Sequence, residues 1–250
     1  MNDEDLYNAI RKEAIDSNYY GGKPVGKDTL LYKFVAEQAK AIGVSMNGIS
    51  IEVIAKEFPK SAYMGSGILT IAADNFTDTN IGSLRGVVKH ELGHRHQQNR
   101  SPIKKFISLF TRDRQPKREC EADFIAGNDY INYINTTVNG TYEHSYFKPL
   151  DNSHPNNRDR YKALLTKSYI EEHTGVKLKA EDVTIGANCS FEITNPEKSK
   201  AIPSVVIDEA KKAAEAILAV TDKAASARRK DHSTIIPPVP HIHKTATTHL

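Results

Sequence analysis

The chain has no run approaching the roughly 18 apolar residues needed to span a bilayer, and its opening, MNDEDLYNAIRKEAID, has neither the basic start nor the apolar stretch of a secretory signal. Those absences predict no transmembrane segment. Cysteine is scarce as well: Cys120 and Cys189 are the only two. They could pair, but without a signal ahead of them the expected state is reduced thiols in a cytosol. The expected location is therefore cytoplasmic, with export by a route lacking a cleaved signal as the alternative. Excess charge is also lacking. A formal charge of +3 and a pI near 8.6 supply no general argument for nucleic acid, so any basic partner site must be local.

What the chain does have is HELGH, His90 to His94, in an apolar stretch poor in glycine and proline that reads as a helix from about Ser83 to Gln98. A four-residue step is slightly more than one helical turn, so His90 and His94 share a face and can share one metal ion. Glu91 lies beside them. Its carboxylate can reach a water on that ion without being a ligand, which suits a metal-dependent hydrolase. Leu84, Val87, Val88 and Leu92 give the helix a face to bury, and histidines and a glutamate drawn inward need a partner. Zinc, one ion per chain, is the cofactor this pattern predicts.

At 250 residues with 39% hydrophobic residues, the chain can bury one substantial core. Residues 4 to 16 and a stretch from an Asp28 cap to Gly43 read as packing helices. Ile49, Ile51 and Val53 alternate with polar positions, and GILTIAA (Gly67 to Ala73) reads as a second strand, with a loop from Pro59 to Ser66 between them. The second strand either lies beside the HELGH helix as an edge that binds extended substrate or is an ordinary sheet strand. Ile103, Phe106, Ile107 and Phe110 predict a short amphipathic helix in the basic linker Ser101 to Arg118, serving as packing or lid, or else as a peripheral membrane contact through 103–110. A further helix is expected from near Pro116 to about Ile134, another from Asp159 to Glu172, a hairpin around Gly186 to Asn188, and an alanine-rich helix over 204–230.

A catalytic zinc usually takes three protein ligands and leaves one position for water. Glu119 and Asp123 are again four apart, so one carboxylate can bind the ion while the other accepts a hydrogen bond from a ligand histidine. Cys120, between them in the chain, reads as a small packing residue.

HELGH, ECEAD (Glu119 to Asp123) and HPNNRDR (His154 to Arg160) together resemble the HExxH, ExxxD and HPxxxxR motifs of the gluzincin zinc endopeptidases that include HtpX and the CAAX prenyl proteases. The resemblance spans about Ile49 to Leu165. It implies His90, His94 and Glu119 as zinc ligands, Glu91 as general base, and Asp123 as support for a ligand. His154 would face the developing oxyanion, and Arg160 would assist in substrate or site organisation. Read without the family, His154 is a loop histidine beside Pro155 and Arg160 a partner in a helix salt bridge. The family's members are integral membrane enzymes, and this chain departs from them in lacking spans.

The fold expected is mainly helical α+β, a gluzincin-type metallopeptidase domain over 1–200 with a small β-sheet beside the HExxH helix. A C-terminal helix over 201–230 and a disordered tail over 231–250 would follow. The function expected is a zinc-dependent endopeptidase acting on polypeptide. Two alternatives accompany it: a DNA-associated repair-type metallopeptidase using the basic segment 104–118, and a non-catalytic zinc-stabilised binding module. In the last case a fourth protein ligand, such as His96 or Cys120, would close the site.

Overall fold

A computed structural model describes residues 1–16, 23–54, 62–76, 80–98, 114–139, 147 and 154–232. The amphipathic stretch 103–110 and residues 233–250 of the tail lie outside them. The described chain is mainly helical α+β, with eight α-helices and two small sheets.

Helix α1 (Asp3–Asp16) and helix α2 (Leu30–Ala41) bury Ile10, Ala14, Leu31, Phe34 and Val35 against the first sheet. The cap of α2 is Thr29, whose hydroxyl accepts from the Tyr32 N–H at 3.1 Å. That is one residue beyond the expected Asp28.

The sheet has strand β1 (Ser50–Ile54), strand β2 (Ala62–Gly65) and strand β3 (Ile68–Ala72), ordered β1-β3-β2. β1 runs parallel to β3, and β2 antiparallel to it. Ile51, Val53, Leu69, Ile71, Ala62 and Met64 are all buried, so alternate residues of each strand form one apolar face toward the helices. One expectation is corrected here and one choice is resolved. Residues 62–65 are a strand and not part of a loop, and the second predicted strand, β3, is central, an ordinary sheet strand with β1 and β2 at the edges.

Helix α3 (Ile81–Gln98) carries HELGH, with Leu84, Val88 and Leu92 in the same apolar cluster. Helix α4 (Arg114–Ala126) and helix α5 (Asn128–Asn139) pack across it. The expected single helix ending near Ile134 is thus two, because Gly127 turns left-handed at φ +64° and interrupts the ladder. Close approach to α3 requires small residues. A Cβ on Gly93 would lie 3.1 Å from the Cα of Ala122, and one on Gly86 only 2.4 Å from the carbonyl oxygen of Asp129.

Helix α6 (Asn157–Thr174) starts at an Asn156 cap that accepts from the Asp159 N–H at 2.8 Å, and it ends at a left-handed Gly175. Strand β4 (Val183–Ile185) and strand β5 (Phe191–Ile193) form the second sheet, an antiparallel hairpin. Short helix α7 (Pro196–Ala201) leads to helix α8 (Ser204–His232). α8 lies along α6, with Leu218 and Ala225 buried and Arg158 paired to Asp222 at 3.0 Å and to Glu215 at 3.3 Å. No helix among the described residues is long and apolar enough to cross a membrane.

Cys120 and Cys189 are joined in a disulfide, with Cα atoms 4.9 Å apart. This overturns the expectation of reduced thiols and removes the support it lent to a cytoplasmic location. The cause is tertiary. Phe124 of α4 packs with Leu178, Val183 and Ile185 in a separate apolar cluster, and the docking brings together two residues 69 apart in the chain.

Candidate metal centre

Helix α3 presents His90, Glu91 and His94, and α4 presents Glu119 and Asp123. The small contact at Gly93 and Ala122 allows the two helix backbones to come close enough for their polar side chains to converge. His90 Nε2 lies 3.2 Å from Glu119 Oε2, and His94 Nε2 lies 3.5 Å from Glu119 Oε1. Donor atoms of all three residues fall within 4.8 Å of one another, and among the described residues no other such group of His, Cys, Asp or Glu occurs.

Whether the three residues suit an ion can be tested on spacing and on hydrogen bonding. Ligands about 2.1 Å from zinc at tetrahedral angles lie about 3.4 Å apart, which matches both contacts. Glu119 Oε2 is buried with no hydrogen-bond partner among the described residues, an arrangement costly for a carboxylate unless a cation meets it. Two imidazoles and one carboxylate are also a donor set that zinc takes. The residues fit.

Behind the trio is a second layer. His90 Nδ1 is 2.7 Å from Asp123 Oδ1. Asp123 in turn accepts two hydrogen bonds from Arg160 of α6, each 2.6 Å, and Arg160 also donates to the Tyr130 hydroxyl at 2.6 Å. The Tyr130 ring stacks on His90 with centroids 4.8 Å apart. Asp123 and Arg160 are 2% and 5% exposed, so this is a buried ion pair at a helix junction, with Asp123 linking Arg160 to His90.

Electrostatics follow from that burial. Burial alone would push the His90 imidazole down, but Asp123 and Glu119 on its two ring nitrogens outweigh it and push it up to about 10 in the ion-free protein. Burial raises the Asp123 and Glu119 carboxyls. Arg160 and His90 more than offset this for Asp123, as do His90 and His94 for Glu119, and both are held below their usual range. The Tyr130 hydroxyl is pushed well up, chiefly by burial.

His94 and Glu119 open on a cleft of about 360 Å³ that is also lined by Glu91, His154, Arg118 and the residues of β2. His154, just before α6, places Nε2 3.5 Å from Glu119 Oε2 but stands outside the tight group of three. Cys120, one candidate for a fourth ligand, is bonded to Cys189 instead. His96, the other, is not in the group.

Two neighbours of the site escaped sequence reasoning. Gln97 faces His94 Nδ1 through Oε1 at 3.3 Å. Its i+3 spacing from His94 was a usable signal. Tyr130 lies beyond the Gly127 break, and nothing in the sequence marks it. No family model, no curated protein and no solved structure matches the chain. The gluzincin resemblance therefore rests on the three motifs alone.

Proposed function

We propose that this protein is a zinc-dependent endopeptidase of gluzincin type. The observation that carries the reading is the convergence of His90, His94 and a buried Glu119 carboxylate, whose Oε2 makes no hydrogen bond among the described residues, beside a cleft lined by His94, Glu119 and Glu91. A zinc ion held by those three would supply a Lewis acid and an activated water.

The chain's own residues supply the remaining functions. Glu91, adjacent in the chain to one ligand and lining the cleft, accepts a proton as water adds to a peptide carbonyl and returns it to the departing amine. His154, which lines the same cleft as Glu91, donates a hydrogen bond to the oxygen on which negative charge develops. Asp123 accepts from His90 Nδ1 and so leaves Nε2 as the donor toward the ion, while Arg160 holds Asp123 in place. Strand β2 borders the cleft with its outer edge away from β3, which supports binding of an extended polypeptide by main-chain hydrogen bonds.

Cleavage of unfolded casein by the purified chain tests the reading, with native, chelator-treated, zinc-restored and Glu91→Gln samples compared and bound zinc measured in each. Loss on chelation, recovery with zinc, and an inactive Glu91→Gln protein that retains zinc are the expected results. Stoichiometric zinc with no cleavage of casein or of a peptide library in any sample would favour the non-catalytic module instead.

A further inference from the structure

We infer that Gln97 is a positioning residue that sets two of the three metal-facing groups with one amide, fixing the tautomer of His94 and the entry of Glu119. The inference takes its consequence for metal binding from the trio described above, although its statement about the His94 proton does not depend on an ion.

Gln97 is buried at 8% exposure on the last turn of α3. Its Nε2 donates to the carbonyl oxygen of Arg118 at 2.7 Å, and its Oε1 accepts from Arg118 Nε at 3.2 Å. These two contacts settle which way the amide faces. Turned over, its NH2 would meet the N–H of Arg118 and its oxygen would meet a carbonyl oxygen, so two hydrogen bonds would become two repulsions.

With the amide fixed, Oε1 is the atom 3.3 Å from His94 Nδ1. An amide oxygen has two lone pairs and no proton, so it can accept from Arg118 and from His94 together but can donate to neither. His94 Nδ1 therefore carries the hydrogen. A neutral imidazole has one N–H, so Nε2 keeps its lone pair, and Nε2 is the atom facing Glu119 at 3.5 Å. A lone pair aimed at a carboxylate oxygen calls for a cation between them.

The other half of the clamp acts through the backbone. Arg118 is the residue before Glu119, near the start of α4, and its carbonyl oxygen is tied to Gln97. The same amide thus links the C-terminal turn of α3, one turn beyond His94, to the residue preceding the third ligand.

Long-range 1H–15N spectra of the labelled full-length chain resolve the two ring nitrogens of each histidine. Recorded with one equivalent of zinc, and without metal at alkaline pH, they are expected to show His94 protonated on Nδ1 in both states. Protonation on Nε2 in the ion-free state, or zinc on Nδ1, would overturn the assignment. Gln97→Leu keeps the volume and removes the amide. It is expected to mix the His94 tautomers, alter the visible spectrum of the cobalt-substituted protein, and weaken zinc roughly ten- to a hundredfold in competition with a chromophoric chelator. Gln97→Glu retains an acceptor for His94 and is expected to preserve the Nδ1–H form. A Gln97→Leu protein with unchanged tautomer and unchanged zinc affinity would overturn the positioning role. Should that variant fail to fold, the Gln97→Glu and unaltered spectra still decide. An unaltered chain that binds no zinc would sink the metal reading, while the ion-free spectrum would still decide the tautomer.

Discussion

His90 and His94 stand one helical turn apart on α3, yet they are held in opposite ways. Behind His90 is a charged and fully buried stack of Asp123, Arg160 and Tyr130 drawn from three other helices. Beside His94, which lines the cleft, is a neutral amide from its own helix. The deep side couples the ion site to the assembly of α4, α5 and α6, so its loss is felt as stability. The cleft side is tied to the chain more lightly, and changes there are felt mainly as chemistry.

The largest separation of the two sides should come from Glu91→Gln, which is expected to lower kcat by roughly 10² to 10⁴ while zinc content and unfolding midpoint stay put. A matching loss of zinc would erase the distinction. On the deep side, Asp123→Ala leaves Arg160 buried without its counter-charge, and urea unfolding should show a loss of about 3–5 kcal/mol. An unchanged midpoint would mean that the ion pair does not anchor the helices.

His154→Ala probes another residue lining the cleft. Activity is expected to fall roughly 10²- to 10³-fold with zinc retained, whereas loss of the ion on dialysis would show that His154 closes the site as a fourth ligand. The smallest and most selective effect concerns pH. His90 has its proton affinity raised from 6.5 to about 10 in the ion-free fold, so its contribution to stability is complete below the unfolded value. It is lost as pH rises from about 6.5 through about 10. Unfolding midpoints of the ion-free chain should drop across that window, and those of the zinc-loaded chain, where the metal replaces the proton on Nε2, should drop less.

Much of this arrangement can be read from local pattern. Helix α3 and strands β1 and β3 announce themselves by periodicity, and the hairpin of β4 and β5 by the turn residues at its tip. The pairing of His90 with His94 and of Glu119 with Asp123 follows from four-residue spacing, whereas which carboxylate faces the histidines comes only from the resemblance of the motifs. What pattern does not carry is tertiary. β2 is four residues long and merges into a glycine-containing turn, so it looks like loop. Gly127 sits inside an otherwise helical pattern, where a single glycine is tolerated as often as it breaks the helix. The pairing of Cys120 with Cys189 depends on the docking of α4 against the distant hairpin, which no spacing records. The Asp123–Arg160 pair joins residues 37 apart for the same reason.

That disulfide also changes what a cut in the chain would mean. Cys120 follows Glu119 directly, and Cys189 comes after both His154 and Arg160. A single backbone nick anywhere from residue 121 to residue 188 would therefore yield two pieces that remain one covalent molecule. The nicked protein would run as one band until reduced, with His90, His94 and Glu119 on the first piece still tethered to whichever cleft residues the second one carries.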